Sequence, residues 1–260
     1  MSNTANAGGP RPWQFILYRL FSLSGLLPIG GYLCIHLLTN STVAAGAAPF
    51  QKNVNSIHAL GPALPFVEWA FIFGPMLFHA TVGFMIISGA VLNVGSYPYA
   101  SNIRYTLQRV TGVLAFLFIV WHILHLHHYG HAVGGGKFDP EHAASSAAVA
   151  LSPLAIKIIY FIGVTAAVYH FSNGLWTQGI TWGIWTSKTA MKRANYVCAA
   201  IGVGLFIVGM TSLAAFGDLN VKDAVVVEDR IIVDVKRANG EEITAAPKAE
   251  TATSSTSSAQ

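Results

Sequence analysis

The stretch IIYFIGVTAAVYHFSNGLWTQGITWGIW, residues 158–185, runs for 28 residues without an acidic or basic charge and holds one histidine, His170. About 20 helical residues cross a bilayer core, whereas helices of water-soluble proteins average about 11–12 residues. The stretch is therefore read as a membrane-crossing helix. Residues 20–38, 69–94, 110–129 and 194–216 are equally free of Asp, Glu, Lys and Arg, and each is long enough to span. The fold class expected is all-α: an integral membrane bundle of five helices within residues 1–216.

Composition points the same way. The chain is 53% hydrophobic and 10% charged, with mean hydropathy +0.52, too few charges to coat a soluble globule of 260 residues. Those charges are unevenly placed: residues 1–216 hold ten Lys/Arg and three Asp/Glu, and 217–260 hold five and eight. No basic cluster exceeds a pair, which argues against a nucleic-acid partner. Cys34 and Cys198 both lie in apolar runs, so neither a disulfide framework nor covalent haem attachment is expected. No small-residue cleavage site follows a short apolar core near the N-terminus, and the first helix is read as retained.

Basic residues without acids occupy the N-terminal flank and the loops 95–109 and 186–193: Arg11, Arg19, Arg104, Arg109, Lys188, Lys192 and Arg193. Loops 39–68 and 130–157 mix three basic with three acidic residues. The positive-inside rule then puts the N-terminus in the cytoplasm and, after five spans, the C-terminus outside. Trp13, Tyr18, Trp69, Tyr97, Tyr99, Trp182 and Trp185 sit where an interfacial aromatic belt belongs. Residues 217–260 form a separate extracytoplasmic tail. There the β-branched run around 225–233 is read as a short strand, and the Ala/Thr/Ser-rich end as disordered.

Four of the ten histidines, His36, His79, His122 and His170, fall one on each of the first four spans. A polar ring in hydrocarbon needs a partner and is by default a functional-site hypothesis. No intramembrane carboxylate is present to bond them. Neutral imidazole binds iron well, and haem supplies apolar bulk that a bundle core can bury. Depth below the outer end of each run orders the four as His36, His122, His79 and His170, at roughly 3, 10, 15 and 18 Å. That order pairs His36 with His122 at an outer haem and His79 with His170 at an inner one.

Other features keep two readings open. Gly25, Gly83 and Gly174 share faces with the histidines and either clear space for haem or make ordinary small-residue helix contacts. Arg19 and Arg109, at the cytoplasmic ends of their helices, either contact haem propionates or only set topology. His125, His127, His128 and His131 follow His122 closely; His125 is an alternative ligand, but a wet interfacial cluster is the favoured reading. His58 and His142 are read as surface residues.

Several blocks resemble a known family. They are Arg19-Leu20-Phe21-Ser22-Leu23-Ser24-Gly25 leading to His36-Leu37, then Phe78-His79-Ala80, and Leu107-Gln108-Arg109-Val110-Thr111-Gly112 leading to Trp121-His122. The last are His170-Phe171-Ser172-Asn173-Gly174-Leu175-Trp176 and Thr181-Trp182-Gly183-Ile184. Together they resemble the single-chain, five-helix, di-haem cytochrome b anchor of succinate:quinone oxidoreductases, over roughly residues 11–216. The resemblance implies two haem b groups, with His36 and His122 on the outer iron and His79 and His170 on the inner one. It also implies a flavoprotein subunit, an iron–sulfur subunit, a quinone (menaquinone favoured) and a bacterial cell membrane. No catalytic residue for succinate is expected in this chain. Fumarate reductase, another di-haem respiratory anchor and, from a different class, a small histidine-using transporter are the rival readings.

Overall fold

The computed structural model describes residues 12–89 and 94–240. Among them are helices α1 (Pro12–Ala45), α2 (Ala47–His58), α3 (Gly61–Ser88), α4 (Ala100–Leu126), α5 (Ala143–Leu151), α6 (Leu154–Thr181), α7 (Lys188–Asp218) and α8 (Val221–Ala238). The described residues contain no strand. Helices α1, α3, α4, α6 and α7 are the five that are long and apolar enough to cross a membrane. They differ from the charge-free runs at their ends. Arg19, Arg104, Arg109 and Lys157 lie inside helices, so those spans continue past the charge-free runs. The third and fourth spans stop earlier than expected, at Leu126 and Thr181.

The α6 stop has a local cause. Gly183 takes φ +70°, a conformation that costs glycine little. Its N–H donates to Ile180 O, and the Ile184 N–H donates to Gly179 O, which is the Schellman pattern that closes a helix. Trp185 then folds back across Gly179, where a Cβ would collide with its ring.

Helix α1 is not regular. Pro28 has no N–H for the carbonyl of Ser24 and its ring crowds that carbonyl. The helix widens to π geometry over Gly25–Gly30, and α3 does the same over Trp69–Phe73, just ahead of Pro75. In α1 the widened turn brings Gly25 and Gly30 against neighbouring side chains, His79 and Phe171.

Around the bundle α3 packs on α1, α1 on α7, α7 on α6 and α6 on α4. Neither α1 with α4 nor α3 with α6 is joined by an extended close backbone contact. The helices that carry the paired histidines are thus held apart, and side chains meet between them.

At one end, α2, α5 and α8 form a cap. Its core contains Val43, Phe50, Val54, Ala143, Ala144, Ala147, Leu151, Phe216 and Ala224. Helix α5 has no side-chain cap of its own at His142, and its first N–H groups are satisfied from elsewhere. Gln51 on α2 accepts from Ala143 N at 2.8 Å, and Glu228 on α8 accepts from Ala144 N and Ser145 N at 2.6 and 3.1 Å. Both side chains are fully buried. A carboxylate there also matches the positive end of the helix dipole.

Helix α8 corrects the strand expected around 225–233. Asn220 caps it by accepting from Lys222 N and Asp223 N, Asp223 lies in the first turn, and Lys236 and Arg237 in the last. These features suit both helix ends. Ala224, Val227 and Glu228 fall on one helical face and pack into the cap, and that burial outweighs the β-propensity of the valines and isoleucines. The disordered end expected after Ala238 lies, beyond Gly240, outside the described residues.

Candidate functional site: two histidine pairs inside the bundle

His36 on α1 and His122 on α4 face each other with ring centroids 5.8 Å apart and planes at 80°. Further from the cap, His79 on α3 and His170 on α6 do the same at 6.3 Å and 85°. All four expected residues are thereby brought together as two pairs, in the combination that their depths along the helices indicate. His125 does not join them: its ring stacks on Trp121 at 4.8 Å.

Each ring is held through a particular nitrogen. His79 Nδ1 bonds the carbonyl of Phe21 at 3.0 Å, and His170 Nδ1 bonds the carbonyl of Gln108 at 2.9 Å. A carbonyl can only accept, so Nδ1 carries the proton in both rings and Nε2 keeps its lone pair. His122 Nδ1 meets the hydroxyl of Tyr160 at 3.0 Å. Among the described residues, Nε2 of these three rings has no hydrogen-bond partner. His36 differs, with Asn40 Nδ2 at 3.1 Å from its Nε2 and Tyr32 OH at 3.5 Å from Nδ1.

Two glycines make room for the pair remote from the cap. A Cβ on Gly25 would run into the His79 ring, and one on Gly112 would lie 2.8 Å from His170 Cε1. Gly83 and Gly174 meet only ordinary contacts, Phe21 at 3.6 Å and Gln108 at 3.5 Å. Gly25 clears space for an imidazole. Gly112 escaped the reading of the sequence, although its place four residues after Gln108 puts it on the turn that receives the His170 ring.

Arg19 donates to Thr181 O at 2.5 Å and lies over the Phe15 and Trp182 rings; the last turn of α6 uses it. Arg109 sits over Tyr105 and donates from Nη1 to the Tyr105 carbonyl at 3.1 Å. Its buried Nε has no partner among the described residues.

No family model matches the chain. The succinate dehydrogenase cytochrome b558 subunit of Bacillus subtilis (strain 168) is 35% identical over 206 residues, covering 78% of this chain and 97% of that protein. The chain belongs to the succinate dehydrogenase cytochrome b family. It is a multi-pass membrane member of that family, with five apolar helices, and is longer than this relative.

In this cytochrome b family member the remaining histidines gather at the cap end. Tyr160, buried between α4 and α6, touches both His122 and His125. His127 lies 3.6 Å from Glu68, and its ring meets those of His128 and Tyr129 at a tilt. Burial and the neighbouring His128 push its pKa down, against Glu68. No group of three or more His, Cys, Asp or Glu fit to hold a metal ion occurs among the described residues. His142, expected to be an ordinary surface residue, bridges Asp229 at 3.0 Å and Asp139 at 3.3 Å. Its pKa is raised, first by the hydrogen bond to Asp229 and then by Asp139.

Proposed function

We propose that this chain is the haem-bearing anchor of a succinate:quinone oxidoreductase, with one haem b between His36 and His122 and a second between His79 and His170. The observation that carries the reading is the spacing of the ring pairs. A metal bound to both rings by bonds of about 2 Å puts their centroids on the order of 6 Å apart, and the two pairs stand at 5.8 and 6.3 Å. Three further observations suit the group: helices held apart at each pair, an Nε2 left free on three rings, and a buried, unpartnered Arg109 Nε.

One-electron exchange at iron is the chemistry that haem supplies when bound. The protein's part is to hold and orient. The backbone carbonyls of Phe21 and Gln108 fix the His79 and His170 rings by accepting from their Nδ1–H groups, the kind of outer contact that sets a ligand's tautomer and basicity. The Tyr160 hydroxyl holds His122 by the same ring nitrogen. Asn40 must release His36 Nε2 before it can serve as a ligand. Arg109 supplies a donor for a propionate; Arg19, committed to Thr181, is the lesser candidate. The positive-inside pattern places the cap outside the cell and the His79–His170 pair toward the cytoplasm, where a flavoprotein and an iron–sulfur subunit would dock. The quinone is assigned as menaquinone, and the membrane as the bacterial inner membrane.

Purification of the tagged chain from its native membrane tests this. The expected result is a b-type α-band that succinate reduces through co-purifying flavin and iron–sulfur subunits. A haem-free preparation, or haem that succinate leaves oxidised in the intact complex, would overturn the proposal.

A further inference from the structure

Arg104 is a cation with no counter-charge beside it among the described residues. Its Nε and Nη2 donate to Asn173 Oδ1 at 2.9 and 2.5 Å, its Nη1 donates to Asn195 Oδ1 at 2.8 Å, and its guanidinium lies 3.8 Å above the Trp176 ring. All of these partners are neutral. The only acids in residues 1–216 are Glu68, Asp139 and Glu141. Glu68 and Asp139 make their ion pairs at the cap end, and no ion pair among the described residues involves Arg104.

The partners lead to the backbone of one ligand residue. Asn173, buried and one turn beyond His170 on α6, donates from Nδ2 to Gln108 Oε1 at 2.6 Å. Gln108 Nε2 donates to His170 O at 3.2 Å, while the backbone carbonyl of Gln108 accepts from the His170 ring Nδ1–H at 2.9 Å. An arginine can only donate. It therefore fixes the orientation of the Asn173 amide, which in turn fixes that of Gln108, so the side-chain bonds run donor to acceptor from Arg104 as far as the His170 backbone carbonyl.

We propose that Arg104 is a positioning residue that raises the reduction potential of the iron held between His79 and His170. The inference rests on the haem reading above. Reduction adds an electron at the iron, and a fixed cation nearby favours the more negative state. The neutral amides hold the charge in place without cancelling it, and they tie it to the turns of α4 and α6 that carry and receive the ligand ring. Among the described residues, no such relay of hydrogen bonds joins a cation to His36 or His122.

A redox titration of the purified holoprotein, followed in the α-band, tests this. In Arg104→Gln one midpoint should move negative and the other stay, with both haems retained. Arg104→Lys, which keeps the charge, should restore most of the shift. Asn173→Asp, which sets a carboxylate on the guanidinium, should also lower the same midpoint, and it decides the question if Arg104→Gln does not assemble. Unchanged midpoints in Arg104→Gln, equal shifts of both haems, or a lysine variant as low as the glutamine one would overturn the inference. Those outcomes leave the haem reading intact; a wild-type protein without two b-type midpoints would instead defeat the haem reading itself.

Discussion

The backbone of Gly112 passes so close to His170 that a Cβ there would lie 2.8 Å from the ring's Cε1 and 3.1 Å from Nδ1. Gly25 stands in the same relation to His79 on the opposite side of the pair. Each glycine thereby leaves room for its ring to reach a backbone carbonyl that accepts from its Nδ1–H.

Enlarging either glycine should displace one ring and spare the other pair. Gly112→Val and Gly25→Val are each expected to lose the haem at His79–His170 while keeping the one at His36–His122. Pyridine haemochromogen assay against protein concentration reads this as a fall from two haems per chain to one. Gly174→Ala, at a position in ordinary contact, should leave both.

The cap makes a separate prediction. Glu228→Ala leaves the N–H groups of Ala144 and Ser145 buried without acceptors, at a cost of about 1–3 kcal/mol. Hydrogen exchange in α5 and α8 should accelerate while haem content stays at wild-type level. Slow exchange in both helices would show that Glu228 does not hold them.

His142 gives the same contact a pH dependence. Its folded pKa is raised above the ordinary 6.5 by Asp229 and Asp139. Its contribution is therefore fully present below 6.5 and is lost as pH rises through the raised value. Exchange in α8, corrected for the intrinsic rate, should speed up from pH 6 to pH 8, and His142→Ala should remove most of that change. The side chain is partly exposed, so the effect is expected to be small.

How much of this was legible in the sequence follows from which forces decide each part. Length without charge gives away a membrane span, and the depths of His36, His79, His122 and His170 within the spans gave the pairs that the rings form. Helix α8 was misread because local β-propensity at Val225, Val226, Ile231 and Ile232 says nothing of the α2–α5 surface on which that helix packs. The links from Arg104 through Asn173 and Gln108 to His170 join residues up to 69 positions apart, and no local pattern encodes them. Gly112 was visible as a residue but not as a contact, since only the crossing of α4 and α6 gives its missing side chain a meaning.

The most direct test of the central claim is the haem count of the purified chain and of His79→Ala, by reduced-minus-oxidised spectra and pyridine haemochromogen. Two b-type haems in the wild type and one in the variant are predicted; a wild type without haem, or a variant that keeps both, would contradict the account.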